Sequence, residues 1–201
     1  MENFDIVDNS ESATVKNGMQ LGRIGFAAMN NPLRRWIQKH IEFRTFKKFL
    51  ERCHVDLEGG VIMDAGCGSG YSSKLIVNEY HPSRVMAFDY MPEQIRLAQK
   101  RKLKVDFFVG DLRQIDSKSS VFDAVFIFGV LHHIPEWRKA LFEVARVLKP
   151  GGVLLVDEPK YGFAWEEFER GLRNAGMDVL QTSHLLFKSV GLYLCQRSDS
   201  E

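Results

Sequence analysis

Short apolar segments rich in β-branched and aromatic residues alternate, from residue 61 onward, with segments of helical periodicity. This pattern predicts helices at 71–79, 92–102, 135–148 and 164–175, and strands at 61–65, 84–89, 104–110, 122–130, 152–158, 178–181 and 191–196. Strands that are apolar throughout are typical of a sheet covered on both faces, and regular alternation implies parallel crossovers. About nine residues separate the last two strands, which suits an antiparallel hairpin. The sequence therefore predicts an α/β fold: a doubly wound seven-stranded sheet, mostly parallel with a C-terminal antiparallel hairpin strand, and helices on both faces.

The length of the chain, 201 residues, suits a single domain. We expect residues 59–201 to form the α/β core and residues 1–58 to form an N-terminal lid segment followed by an amphipathic helix. The lid, residues 1–30, is dotted with glycine and is expected to become ordered when ligands bind. The helix is predicted at 33–53, and residues 34–52 include seven Lys and Arg but only two Glu. Such a basic face is most often solvated, yet it is compatible with peripheral contact to a membrane.

Charge and cysteine content exclude several classes of protein. The chain has 27 basic and 26 acidic residues, so no global field attracts nucleic acid, and no nucleic-acid partner is expected. The three cysteines, Cys53, Cys67 and Cys195, are far apart and fit neither a disulfide framework nor a zinc site, which indicates a reducing, cytoplasmic location and no bound metal. No signal peptide and no run of about 18 apolar residues is present, so no transmembrane segment is expected.

A glycine-rich loop follows the first predicted strand. The loop reads Asp64-Ala65-Gly66-Cys67-Gly68-Ser69-Gly70 and leads into a helix, which is where doubly wound folds bind nucleotides. The third glycine of a dinucleotide-binding fingerprint is missing, because Tyr71 stands at that position. No Gly-Lys-Ser/Thr sequence for a phosphate loop is present either. The loop therefore favours a nucleoside ligand that carries no phosphate.

Two further acidic residues follow the next two predicted strands. Asp89 lies nineteen residues after Gly70, where a carboxylate is expected to accept hydrogen bonds from both ribose hydroxyls. Asp111 ends the third strand at the same edge of the sheet, within reach of an adenine amino group. We expect Asp64, Asp89 and Asp111 to line one crevice, which would repel phosphate and accommodate a cationic sulfonium nucleoside.

The motifs from 55 to 158 together resemble those of class I S-adenosylmethionine-dependent methyltransferases, in particular the type 11 family that includes ubiquinone- and menaquinone-pathway enzymes. The resemblance rests on 61–70, Phe88-Asp89, Gly110-Asp111-Leu112, 122–125 with 131–134, and 146–152. It implies a Rossmann-like fold, S-adenosylmethionine as cofactor and S-adenosylhomocysteine as product. The residues expected to bind the cofactor are Asp64, Gly66, Cys67, Gly68, Gly70, Asp89, Tyr90, Met91, Gly110, Asp111, Leu112 and Phe128. Tyr90-Met91 departs from the family's usual small polar residue before Pro92, so we expect a weaker helix cap there.

The acceptor side of the crevice is expected at the ends of the fourth and fifth strands. His132 and His133 are adjacent, so on extended backbone their side chains would point to opposite sides. We expect one of them to have a structural role, in packing or in capping a helix. The other, His133, is expected to face the transferred methyl group as a catalytic residue. Asp157 and Glu158 end the fifth strand, and Glu158 is the second candidate catalytic residue. Residues 159–163 are too few to form a lid, so we expect the cover to come from residues 1–30. A segment that closes over the site favours a small-molecule acceptor.

Two rival functions remain open on the sequence alone. A noncatalytic S-adenosylmethionine-binding or interaction module would keep the glycine loop but lack a pocket for an acceptor. A nicotinamide-dependent oxidoreductase would share the sheet, although Tyr71 disfavours it. The aromatic residues Phe107, Phe108, Phe126 and Phe128 lie inside predicted strands and are expected in the core rather than on a base-stacking surface.

Overall fold

A computed structural model describes residues 31–185 and 189–198 of the chain. Its sheet has seven strands in the order β3-β2-β1-β4-β5-β7-β6. The strands are β1 Val61–Ala65, β2 Arg84–Asp89, β3 Asp106–Val109, β4 Phe122–Phe128, β5 Leu148–Pro159, β6 Met177–Leu185 and β7 Val190–Arg197. Neighbours from β3 to β5 are parallel, whereas β7 runs antiparallel to both β5 and β6. The predicted sheet, including its antiparallel hairpin, is therefore confirmed.

Helices cover both faces of this sheet. The described part of the chain begins with α1 Pro32–Ile37, a π-helical segment Gln38–Glu42 and α2 Phe43–Arg52. These three segments follow one another directly and are called the 32–52 helix below. The others are α3 Tyr71–Tyr80, α4 Pro92–Gln99, α5 Trp137–Val147 and α6 Trp165–Asn174, with short 3₁₀ turns at Leu131–His133 and Lys160–Gly162. One core layer packs α5 and α6 against the sheet, and the other packs the 32–52 helix and α3 against its opposite face.

The 32–52 helix differs from its predicted amphipathic pattern at its N-terminal end. Leu33 and Trp36 were expected on the buried face but are 63% and 54% exposed, whereas Gln38 and Glu42 are buried. The π-helical segment explains the difference, because a wider turn rotates the residues before it away from the face that a regular 3.6-residue period assigns to them. Phe43, Phe46 and Leu50, which follow the segment, pack in the core as predicted.

Other strand and helix boundaries in the structure differ from the predicted ones. β5 begins at Leu148 rather than at residue 152, with an irregular register opposite Phe122 and Ala124, and α4 ends at Gln99 rather than at residue 102. Phe126 is fully buried, but Phe107 and Phe108 are only half-buried because β3 is an edge strand. The expected lid, residues 1–30, lies outside the described residues. Within the described ranges, no helix combines the length and apolar character required to cross a bilayer.

Candidate functional site

The glycine loop between β1 and α3 depends on left-handed backbone. Gly66 and Gly70 have φ angles of +79° and +76°, and a Cβ at Gly66 would overlap the side chain of Val130. The loop is held in place from below, because Gly66 N and Cys67 N both donate to the carbonyl oxygen of Phe88, at 2.8 and 2.9 Å. Only glycine combines this backbone conformation with so close a packing.

Asp89 lies at the end of β2, directly beneath the loop. Its Oδ2 accepts a hydrogen bond from Gly68 N and its Oδ1 accepts one from Met91 N, each at 2.9 Å. Burial raises the pKa of this carboxyl, and the two backbone donors oppose the rise. Met91 caps α4 without a side-chain hydrogen bond, as its apolar side chain predicts, while Tyr90 is exposed. Asp89 therefore links the glycine loop to the start of α4.

Asp64 does not line a crevice as expected. It is buried under the loop, where its Oδ2 accepts hydrogen bonds from Ser72 Oγ at 2.7 Å and Ser73 Oγ at 2.6 Å. Burial raises its pKa to about 6, although both serines act to lower it. Asp64 therefore stabilises the first turn of α3 and does not face a ligand.

Asp111 also departs from the expected cluster of carboxylates. Arg113 binds it, with Nη2 to Oδ2 at 2.7 Å, and Arg113 reaches Glu136 as well, at 3.1 Å. This ion pair lowers the pKa of Asp111. Gly110 is packed close to the ring of Phe88, and Leu112 is buried. The expectation that three unpaired carboxylates form one crevice is therefore wrong, and charge repulsion alone does not explain a preference against phosphate.

A cavity of about 370 Å³ opens beside the glycine loop. The 32–52 helix forms one wall, and the ends of β4 and β5 with their following turns form the other. From the loop and α4 it is lined by Gly66, Cys67, Gly68, Ser69, Tyr71, Ser72 and Gln94; from the opposite side it is lined by Phe128, His132, His133, Asp157 and Tyr161. Cys67 is buried, and burial raises the pKa of its thiol, which is consistent with packing rather than reactivity. Phe128 is half-buried and stacks on Phe43, with 5.2 Å between ring centroids.

The two histidines are arranged differently from the prediction. They lie on a 3₁₀ turn, and their ring centroids are 3.8 Å apart, so the side chains point to the same side and not to opposite ones. A 3₁₀ turn advances each residue by about a third of a turn, unlike the half-turn alternation of extended backbone. The ring of His132 packs inward, whereas His133 is the more exposed of the two and lines the cavity. Partial burial and the neighbouring His132 lower the pKa of His133.

Glu158 is not a contact residue of the cavity. It is fully buried, and its Oε1 accepts from Val130 N and Leu131 N at 2.9 and 2.7 Å. Its Oε2 accepts from His132 N at 3.3 Å and lies 2.7 Å from His132 Nδ1. The predicted catalytic role for Glu158 is thus corrected to a positioning role, because all of its contacts fix the histidine turn. On the far side of that turn, Tyr161 is 83% exposed and its hydroxyl lies 3.2 Å from His132 Nε2.

A buried charged cluster at the helix wall was missed by sequence reasoning. Arg34 Nη1 lies 3.0 and 2.9 Å from the two oxygens of Glu42, and Arg34 Nη2 is 3.8 Å from Asp157 Oδ2. Glu42 and Asp157 hydrogen-bond to each other, and burial raises the pKa of both. A single glutamate within the otherwise basic stretch 34–48 was the available signal. The cluster attaches the 32–52 helix to the sheet at the rim of the cavity.

Three comparisons with known proteins bear on this site. A family profile described as "Methyltransferase domain", of type 11, matches residues 63–156. A fatty-acid O-methyltransferase of Mycolicibacterium smegmatis is 28% identical over 137 residues, which cover 67% of this chain and 50% of that protein. Residues 63–156 therefore match the type 11 methyltransferase domain, in agreement with the resemblance carried by the sequence motifs.

Other relatives and solved structures agree with this methyltransferase fold. A trans-aconitate 2-methyltransferase of an Azoarcus species is 30% identical over 128 residues, 61% of this chain and 50% of its own. The chain thus spans about half the length of these curated relatives. A methyltransferase structure from Aquifex aeolicus has a TM-score of 0.73 at 19% identity and covers 89% of this chain and 100% of its own. The [4+2]-cyclase SpnF shares the fold, with a TM-score of 0.67 at 20% identity, and covers 78% of this chain and 82% of its own.

S-adenosylmethionine is the cofactor of this methyltransferase family, and the residues around the cavity fit a polar ligand of that kind. The side-chain amide of Gln94 and Oδ1 of Asp157 are buried on the cavity wall with no hydrogen-bond partner among the described residues. A polar ligand in the cavity would supply such partners, whose absence otherwise costs about 1–3 kcal/mol per group. In the described part of the chain, no group of three or more His, Cys, Asp or Glu side chains is arranged to hold a metal ion.

The raised pKa of Asp64 leads to a prediction about stability. A carboxyl whose folded pKa is about 6 binds its proton more tightly when folded than when unfolded, so its contribution to stability is full below about pH 4 and is lost as the pH rises through 6. Asp64→Asn removes this titration. We expect the free energy of unfolding of the variant, relative to wild type, to rise by about 2 kcal/mol between pH 4 and pH 7. Urea unfolding at a series of pH values measures this difference; a pH-independent difference contradicts the assignment.

Proposed function

We propose that this protein transfers the methyl group of S-adenosylmethionine to a small-molecule acceptor bound in the 370 Å³ cavity. One observation carries the proposal: the glycine loop and His133 line the same cavity, so a donor held by the loop and an acceptor at the histidine turn would meet inside it. We further propose that the chain, residues 1–201, acts as one domain, and that it works in the cytoplasm, in keeping with its three free cysteines.

When bound, the cofactor would supply an electrophilic methyl group on a sulfonium, and the thioether would be the leaving group of an in-line transfer. The chain's own residues have to bind the donor, orient the acceptor and exclude water. We assign cofactor binding to the backbone of Gly66, Cys67, Gly68 and Gly70, to the carboxylate of Asp89, and to contacts from Tyr90, Met91 and Phe128. Asp64, Gly110 and Leu112 support this surface from behind, and Asp111 contributes only if its pair with Arg113 opens. We also assign Gln94 to cofactor binding, because its buried amide has no hydrogen-bond partner among the described residues.

The walls of the cavity exclude water from the site. The 32–52 helix closes one side and is attached through the Arg34, Glu42 and Asp157 cluster, so the helix itself serves as part of the cover that we expected from residues 1–30. Tyr161 covers the histidine turn on the other side. Glu158 holds that turn, which keeps His133 at the wall.

The lowered pKa of His133 keeps its imidazole neutral near neutral pH, so a ring nitrogen is free to take a proton from an acceptor hydroxyl or amine. We expect His133→Ala to keep its affinity for S-adenosylhomocysteine within about twofold of wild type and to lower turnover by about 10²-fold. Wild-type turnover should fall as the pH drops through a value below the usual histidine pKa, and the variant should lack this limb. His184→Ala, on the exposed part of β6, is the matched control. Turnover within twofold of wild type would mean that His133 is only a wall residue.

The acceptor class to test first is a carboxylic acid. Two relatives are named for substrates that carry carboxyl groups, a fatty acid and trans-aconitate, and a third for malonyl on an acyl carrier protein. Arg35 brings a cationic group to the cavity wall, which suits an anionic acceptor, whereas Arg34 is paired with Glu42. A carboxylate needs no base, so the loss of about 10²-fold expected for His133→Ala applies to a hydroxyl or amine acceptor. With a carboxylate acceptor we expect turnover of His133→Ala within about twofold of wild type and a base-labile product.

The deciding experiment uses S-adenosylmethionine labelled with tritium on the methyl group. The protein is incubated with the low-molecular-weight and the macromolecular fractions of an extract from its own cells, and Asp89→Ala serves as the negative control. We expect label in small molecules, and labelled methanol after alkaline treatment if the product is a methyl ester. Label in the macromolecular fraction would overturn the small-molecule proposal. Absence of label, with S-adenosylhomocysteine bound, would favour the noncatalytic binding module.

A further inference from the structure

The outer side of the 32–52 helix combines exposed apolar and basic side chains. Leu33 and Trp36 are exposed, and Lys39, Arg44 and Lys47 follow them at three- to five-residue steps, all classed as exposed. These five residues are called the outer face below. Trp36 contacts the ring of His40, with 5.2 Å between centroids, so the apolar end of the face continues into its basic part.

A second cavity, of about 350 Å³, lies between the outer face and α3. Its apolar lining comes from Phe43, Leu75 and Tyr80, and its polar lining includes the acidic Glu79. The cationic lining is provided by Lys39, Arg44 and Lys47, with His40 beside them. Burial raises the pKa of Tyr80, and the hydroxyl of Tyr80 has no hydrogen-bond partner among the described residues. An apolar floor below a cationic rim matches a ligand with an anionic head and an apolar body.

We infer that the outer face docks on the surface of an anionic phospholipid bilayer, with a lipid headgroup at the cationic rim of the second cavity. Leu33 and Trp36 would enter the interfacial region, where amphipathic aromatic side chains are favoured. Lys39, Arg44 and Lys47 would face the negative surface potential of the lipid headgroups.

A bilayer fits this face better than a nucleic acid does. Binding to a phosphate backbone needs cations but gains nothing from exposed Leu33 and Trp36 or from an apolar cavity floor. The overall charge of +1 also provides no long-range attraction to a polyanion, so the attraction has to be local. The combination of exposed apolar residues with adjacent cations is the pattern of helices that lie in a membrane interface.

Docking in this orientation would bring the methyl-transfer cavity to the membrane surface. Arg34, Arg35 and Gln38 line that cavity from the same helix whose outer face carries Trp36 and Lys39. An acceptor with a long apolar chain could then pass from the bilayer into the cavity. This consequence rests on the proposed function, whereas the docking itself does not. One relative is named for a fatty acid, a substrate with such a chain.

Sedimentation with lipid vesicles tests the inference without any measurement of activity. The full chain is mixed with vesicles of phosphatidylcholine alone and of equimolar phosphatidylcholine and phosphatidylglycerol. We expect binding to the anionic vesicles, weakened by added salt, and at least about tenfold weaker binding to the neutral ones. K39E/R44E/K47E should lower affinity for anionic vesicles by more than about tenfold. Trp36→Ala should lower it by about threefold or more, because an interfacial aromatic contact is lost.

The matched control is K139E/R170E/R173E, which changes charge by the same amount at exposed positions of α5 and α6, on the opposite face of the sheet from the 32–52 helix. Its affinity should stay within about threefold of wild type, because screening limits the field of these side chains to about 8 Å. Equal loss in the two triple variants would show a nonspecific charge effect and overturn the inference. Equal binding to neutral and anionic vesicles, no binding to either, or tighter binding to duplex DNA than to anionic vesicles would overturn it as well. Circular dichroism of each variant verifies that the fold is intact.

Discussion

Glu158→Ala is expected to lower the free energy of unfolding by about 4 kcal/mol, because one buried and two part-buried backbone donors lose their acceptor at about 1–3 kcal/mol each. The donors are the N–H groups of Val130, Leu131 and His132. Glu158→Gln should lower the free energy of unfolding by about half as much. The amide oxygen still accepts a hydrogen bond, but either orientation of the amide places its NH₂ group against a backbone N–H. The order of stability is therefore wild type, then Gln, then Ala, as measured by urea unfolding.

Glu167→Gln is the control for this series, because Glu167 is a half-exposed glutamate paired with Arg138 on the surface. We expect Glu167→Gln to lower the free energy of unfolding by less than about 1 kcal/mol. The Gln variant also tests the positioning role. If it remains folded, turnover should fall while affinity for S-adenosylhomocysteine changes little, because the histidine turn is displaced but the glycine loop is not. A stability of both Glu158 variants equal to that of the control would contradict the burial and bonding of Glu158.

Asp89→Ala is expected to weaken binding of S-adenosylhomocysteine by about 2–4 kcal/mol, which corresponds to a factor of about 30 to 1,000 in Kd. The side chain is proposed to accept hydrogen bonds from ribose, and it already holds Gly68 N and Met91 N. Its removal would therefore affect both the ligand contact and the loop. Isothermal titration calorimetry gives the Kd, and thermal unfolding of the unliganded variant shows how much of the loss comes from the loop.

Asp106→Ala is the matched control, because Asp106 is an exposed aspartate at the start of the neighbouring β3 and pairs with Arg84. Its Kd should equal that of wild type. A loss of less than about threefold in Asp89→Ala would place the ribose elsewhere. Such a result would leave the fold untouched but remove the assignment of the cofactor to this edge of the sheet.

The fold followed from the sequence because its signals are local and repeated. β1 and β2 have the predicted bounds, since each is a short, mostly apolar run with an acidic residue at or next to its end. The antiparallel β7 followed from a connection too short for a helix. The exposed N-terminal end of the 32–52 helix was not predictable in this way, because a π-helical segment changes the period without an evident signature in the sequence.

The site was harder to predict because its chemistry depends on neighbours that are distant in the chain or turned by an irregular backbone. Asp111 follows a strand as expected, yet Arg113, two residues later, folds back onto it. Glu158 ends a strand at the functional edge, but the turn at 131–133 comes close enough to occupy both of its oxygens. Glu42 becomes a cavity residue only because its helix packs against Asp157. Position at a sheet edge therefore identifies candidates, and only packing shows which of them face a ligand.

The central claim is that the glycine loop and Asp89 bind S-adenosylmethionine, and calorimetric titration of the full chain tests it most directly. Four ligands are compared at equal concentration: S-adenosylmethionine, S-adenosylhomocysteine, NAD and ATP. We expect the first two to bind with micromolar or lower Kd and to raise the melting temperature, since a ligand at 100 times its Kd adds about 2.7 kcal/mol. NAD and ATP should not bind, because Tyr71 occupies the position of the third dinucleotide-binding glycine and the loop lacks a phosphate-binding lysine. Tight binding of NAD with no binding of S-adenosylhomocysteine would contradict the claim.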